Sequence, residues 1–123
     1  MFERKNLMKK IYTLANCSTS QGIIAQMGKK SSKYELQNIK EEKITPSQLD
    51  EMKDMAGSYE ALFSRRALKY KSLGLAEKKL TEKDYRKFIL EEYTFLKRPV
   101  IISDKKIFVG NAPKMVQEML GSI

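Results

Sequence analysis

The chain has 123 residues and a mass of 14.2 kDa, with 41% hydrophobic residues and three prolines, which suits one domain with a continuous core and argues against disorder. Its 24 basic and 15 acidic residues leave a net charge of +9, but the lysines are spread along the chain among glutamates. That reads as a solvated surface and argues against nucleic acid as a partner. Histidine is absent and Cys17 is the single cysteine, which excludes an internal disulfide, a zinc site and any Ser-His or Cys-His nucleophile pair within one chain.

A chain without a disulfide framework is expected in a reducing cytoplasm. No apolar run is long enough to cross a bilayer, and no apolar signal core follows the basic opening "MFERKNLMKK". Residues 1–8 therefore read as a basic tail and 9–123 as the folded domain.

In chain order, "KKIYTLA" alternates around β-branched and aromatic residues and predicts a strand. After Cys17 the period changes. Ile23, Ile24 and Met27 share a helical face, and Gly28 suits the end of that helix. "KYELQNI" predicts a second strand with Tyr34, Leu36 and Asn38 on one side. Thr45-Pro46-Ser47-Gln48 then combines an N-cap, a proline at the first helical position and the glutamine of a capping box. Leu49, Met52, Met55 and Ala56 form the stripe of that helix, closed by Gly57, and Tyr59, Leu62 and Phe63 mark another short one. Thr81 opens a longer helix with Tyr85, Phe88, Ile89 and Tyr93 on one face.

Beyond Arg98-Pro99 the pattern returns to strand. "VIIS", a turn at "DKK" and "IFVG" predict a hairpin, and Met115, Val116, Met119 and Leu120 the apolar face of a closing helix. The crossover rule makes the first two strands a parallel pair around the first helix. The hairpin adds antiparallel partners. The expectation is an α/β fold: a mixed four-stranded sheet flanked by helices, with several helices between the second strand and the hairpin.

Cys17 stands where a strand gives way to a helix. Unpaired N–H groups and the positive end of the helix dipole favour a thiolate there, and helix N-termini can bring a cysteine from about 8.5 into the range of roughly 3.5–7.5. Ser18, Thr19 and Ser20 can add hydroxyl donors. Polar neighbours on both sides argue against the alternative, a small buried hydrophobe. Cys17-Ser18-Thr19-Ser20 is a C-x-x-S, so any redox cycle must be completed by an outside thiol, and anion binding without turnover is equally open to it.

Three segments in register resemble one family. "IYTLANCSTS" is similar to the "IYxxxxCxTS" opening of the glutaredoxin-coupled arsenate reductases and their Spx-type relatives. "ALFSRRALKYKSLGL" is similar to their "LLxxRxxxYxxLGL" block, and "FLKRPVIISDKKIFVGNAP" to their "RP" strand, hairpin and final loop. The resemblance runs from about Met8 to the C-terminus.

It implies a thioredoxin-like fold of the ArsC type with an inserted helical part over about 45–96, with Cys17 as nucleophile, Ser18, Thr19 and Ser20 in its anion-binding loop, Arg98 contacting oxyanion or thiolate, and Pro99 as a cis-proline. Arg66, or failing it Arg65, would supply a second guanidinium. It further implies no bound cofactor, and glutathione or a glutaredoxin as co-substrate. The activity expected is a monothiol reductase acting on arsenate or a related small oxyanion. The alternative is an Spx-like regulator that binds RNA polymerase or another partner without turnover. Two departures bear on the substrate. Ala112 precedes Pro113 where the classical reductases have arginine, and Thr13 stands where they usually have histidine. Against the Spx-type C-x-x-C, Ser20 removes the disulfide switch.

Overall fold

The computed structural model describes residues 8–14 and 17–123. The basic tail expected over 1–8 therefore lies, apart from Met8, outside the described residues. Two compact units are present. One joins the chain up to Glu42 with Arg98–Ile123, and the other is the intervening Lys43–Lys97.

The first unit holds a four-stranded sheet of strands β1 (Lys9–Thr13), β2 (Glu35–Asn38), β3 (Val100–Ser103) and β4 (Lys106–Val109), in the order β2-β1-β3-β4. β1 runs parallel to β2 and antiparallel to β3, and β3 and β4 form the hairpin. This is the mixed sheet expected from the element order. The hairpin turns at Asp104, whose φ of 58° is the left-handed conformation that aspartate tolerates better than most residues. Its carboxylate accepts from Lys9 Nζ at 2.9 Å and so ties the turn to β1.

Helices α1 (Ser18–Met27) and α5 (Pro113–Ser122) pack on one face of the sheet. Ile23 and Met27 of α1 meet Val116 and Met119 of α5 over Ile11, Ile101 and Phe108. α1 ends at Gly28, whose positive φ of 63° favours glycine. A six-residue 3₁₀ helix, Gly28–Lys33, then leads to β2.

β2 departs from the expected pattern. Leu36 pairs with Ile11 and so shares its face, yet it is 56% exposed. β2 is the edge strand, and the core cluster on that face draws no residue from it. The buried residue of β2 is instead Gln37, on the opposite face, which satisfies its polarity by donating Nε2–H to the Glu42 carbonyl at 2.9 Å.

The second unit is helical: α2 (Pro46–Ala56), α3 (Leu68–Ser72) and α4 (Glu82–Glu91), with 3₁₀ turns between and after them. Both capping boxes close. Gln48 N–H donates to Thr45 Oγ1 while Gln48 Oε1 accepts from Thr45 N–H, and Thr81 and Asp84 repeat the exchange. Gly57 ends α2 at φ 103°. Phe63 stacks on Phe95 at 5.0 Å and touches Tyr85 at 4.9 Å, and a backbone bridge joins Phe63 to Leu96.

The segment expected as a short helix at Tyr59–Phe63 is a single 3₁₀ turn, Glu60–Leu62, and Tyr93 falls beyond the end of α4 in the next turn. α3 has no counterpart in the sequence reading. It is only five residues long and buries none of them, so it carries no apolar period.

Candidate active site

The register of the sheet builds the site. Tyr12 in β1 faces Val100 in β3 across an antiparallel pair, so the chain leaving β1 toward Cys17 runs beside the chain entering β3 through Arg98 and Pro99. Val100 also faces Val109 of β4, which brings the β4–α5 loop to the same end of the sheet. Gly110 N–H donates to the Pro99 carbonyl at 2.9 Å and locks that loop in place. Gly110 itself has a φ of 88°, a conformation that only glycine adopts without strain. The Arg98–Pro99 peptide bond is cis.

Cys17 is the N-cap of α1, with extended backbone angles of −94° and 107°. Its carbonyl accepts the first helical hydrogen bond, from Gln21 N–H at 3.0 Å, and its own N–H donates to the Leu14 carbonyl. The side chain of an N-cap residue lies where the free N–H groups of the second and third helical residues point, here Thr19 and Ser20.

The thiol is partly buried. Burial is the largest single influence on it and pushes it up. The Ser20 hydroxyl, the Ser20 N–H, the Arg98 charge and the Thr19 N–H together outweigh that burial and hold Cys17 below its ordinary value. Ser20 is fully buried, and its hydroxyl makes no hydrogen bond of good geometry, not even to the sulfur. A buried hydroxyl without a settled partner is costly, and it gains most when the sulfur beside it carries charge. Arg98 repeats the theme: its Nη1 is buried without a hydrogen-bond partner. Two unsatisfied donors thus belong to residues that act on one sulfur, an arrangement that suits a thiolate, an oxyanion, or each in turn.

Ser18 and Thr19 are exposed on the first turn of α1. Thr13 is buried at the end of β1 and offers a hydroxyl, at 3.5 Å from the Leu14 carbonyl, in place of an imidazole. Ala112 is the N-cap of α5 and brings no side-chain donor to the loop.

The arginine pair lies in the helical unit. Arg65 donates to Glu60 at 2.9 Å and to the Tyr85 hydroxyl at 3.1 Å. Arg66 is exposed, and its backbone N–H donates to Ser64 Oγ. The structure therefore brings Cys17, Ser20, Arg98 and Pro99 together within one unit and puts Arg65 and Arg66 in the other. Gly110 escaped the sequence reading, although a glycine directly after a strand and before a proline-started helix was the available signal.

No helix among the described residues is long and apolar enough to cross a membrane. The curated proteins contain no match to the sequence. Among solved structures, an arsenate reductase from Vibrio cholerae superposes with a TM-score of 0.76 at 19% identity, over 91% of this chain and 97% of that one. A protein described as related to the ArsC family, from Bacteroides fragilis, superposes at 0.77 and 21% identity over 94% and 98%. An arsenate reductase-related protein from Brucella melitensis gives 0.70 and 22% over 95% and 97%. At such identities these likenesses speak for the fold. The profile of the ArsC family matches residues 12–119, nearly the whole chain, and the chain belongs to that family.

Proposed function

We propose that the protein is a cytoplasmic, thiol-dependent reductase in which the Cys17 thiolate attacks arsenate or a related oxidised oxyanion, with glutathione or a glutaredoxin as the reductant. The observation that carries this reading is the lowered thiol at the N-cap of α1, flanked by the unsatisfied donors of Ser20 and Arg98. Attack by the sulfur forms an S–As bond and releases one arsenate oxygen as water. A second thiolate then attacks the Cys17 sulfur. The electron pair of the S–As bond passes to arsenic, which leaves as arsenite, and Cys17 remains in a mixed disulfide. A further outside thiol restores it, because the chain has no second cysteine.

Charge grows on oxygen as sulfur adds, and the planar guanidinium of Arg98 is suited to hold it. The helix N-terminus stabilises the thiolate before attack and again when it leaves the mixed disulfide. Pro99 and Gly110 position these groups and do not react.

The test is arsenite formation from arsenate with glutathione, with and without glutaredoxin, in the wild type and in Cys17→Ser. Turnover by the wild type that Cys17→Ser abolishes is the expected result. Equal background rates in both would refute the reading. If Cys17 alkylates rapidly yet no oxyanion is reduced, the regulatory alternative, a partner-binding protein of the Spx kind, gains the ground.

A further inference from the structure

From the first turn of α1, which follows Cys17 in the chain, an open groove of about 380 Å³ runs between α1 and α5. It begins at Ser18 and Thr19, directly after Cys17, and at Asn111 and Pro113 of the β4–α5 loop, then runs down between the helices. Its walls are apolar at Ile23 and Val116 and carry the carboxamides of Gln26, Asn111 and Gln117. Among the described residues, no charged side chain lines it.

A second observation comes from the floor. Gly22 lies inside α1, away from either end and with no left-handed angle, so the backbone does not require a glycine there. Glycine is among the poorest residues for a helix interior. A Cβ built on it meets nothing within 4 Å, so packing does not require one either. What the missing side chain does is leave the groove open. A local rule broken without a structural cause is what a binding surface looks like.

The geometry points to this groove as the binding site for an extended, uncharged stretch of polypeptide flanking the cysteine of a protein thiol partner. A carboxamide offers both a donor and an acceptor, the pair that a peptide unit presents. The apolar walls suit small side chains, and the volume lies at the low end of the range for ligand pockets. Glutathione carries two carboxylates and an ammonium, for which this lining supplies no counter-charge. The inference rests on the thiol chemistry proposed for Cys17 and names the partner class for that site. In turnover the partner's thiolate attacks the Cys17 sulfur of the mixed disulfide, that S–S bond breaks, the first outside thiol departs as thiolate and a Cys17–partner disulfide forms. A peptide disulfide reads the same groove by the matching exchange, in which the Cys17 thiolate attacks a disulfide sulfur, the old S–S bond breaks, a Cys17–peptide disulfide forms and the other thiolate departs. Cys17 is oxidised and the departing sulfur reduced.

The probes are the disulfide dimer of a capped Ala-Ala-Cys-Ala-Ala peptide, glutathione disulfide, and iodoacetamide as a reporter of the thiolate alone. Gly22→Leu fills the groove. The expected result is at least a tenfold slower reaction with the peptide disulfide, with alkylation changed less than twofold. Should Gly22→Leu not fold, Gln26→Ala/Gln117→Ala, at two exposed positions, is read in the same way and is expected to slow the peptide about fivefold. An unchanged peptide rate overturns the inference. So does an equal slowing of peptide and iodoacetamide, which would put the effect on the thiol. A loss confined to glutathione disulfide would assign the groove to that tripeptide and overturn it too. None of these readings needs arsenate. Failure of oxyanion turnover and failure of the groove are therefore separate outcomes.

Discussion

Ser20→Ala isolates the donor that matters most to the thiol. The wild-type hydroxyl is fully buried and has no settled partner, and it is the strongest of the influences that lower Cys17. A hydrogen bond to a charged group is worth about 1.5–3 kcal/mol. Because Cys17 is only partly buried, the low end applies. Losing about 1.5 kcal/mol of preference for the thiolate reduces its fraction roughly twelvefold at a pH where the thiol is mostly protonated. A more basic thiolate is a better nucleophile, however, with a Brønsted coefficient of about 0.4–0.5, which returns a factor of roughly three. Exchange with hydroxyethyl disulfide should therefore slow about fourfold at low pH, while at high pH, where both proteins are fully ionised, the variant should be the faster.

Stability supplies an independent reading of the same change. The folded thiol is lowered, so the unfolded chain binds more protons between the folded value and the unfolded one near 8.5. Stability from this group is complete above about 8.5 and is lost as the pH falls through the folded value. Ser20→Ala should weaken that rise and leave the acid side unchanged or slightly firmer, since it removes an unsatisfied buried hydroxyl. Urea midpoints at about pH 5 and pH 9 test this. A variant with wild-type exchange rates across the pH range would refute the reasoning.

Arg98→Ala removes the other unsatisfied donor and its charge. If wild-type turnover is present it should fall on the order of 100-fold or more, as when an oxyanion donor is deleted, and inorganic phosphate should no longer protect Cys17 from iodoacetamide. Protection that persists in the variant would release Arg98 from the oxyanion role. In the helical unit, Thr45→Ala opens the capping box of α2 and should cost about 1 kcal/mol. The urea midpoint would show it, while disulfide exchange at Cys17 stays at the wild-type rate.

Much of this protein is decided by neighbours along the chain. The capping boxes at Thr45 and Thr81, the stops at Gly28 and Gly57, and the hairpin around Asp104 each depend on a few adjacent residues, so local chemistry alone specifies them. The helix start beside Cys17 belongs with them, because a change of period is a local signal. α3 was illegible for the opposite reason: it buries no residue and leaves no periodic trace. Leu36 and Gln37 mark another limit. Side-chain alternation names two faces but does not say where the sheet ends, and the edge position of β2 left the leucine in water and buried the glutamine. The chemistry at Cys17 needed the fold most. Arg98 and Gly110 are far from it in sequence, and only the pairing of Val100 with both Tyr12 and Val109 carries their loops to the same end of the sheet. A sequence can place a thiol on a helix terminus, but the charge that acts on it from a distant strand is set by register, which is a property of the whole sheet.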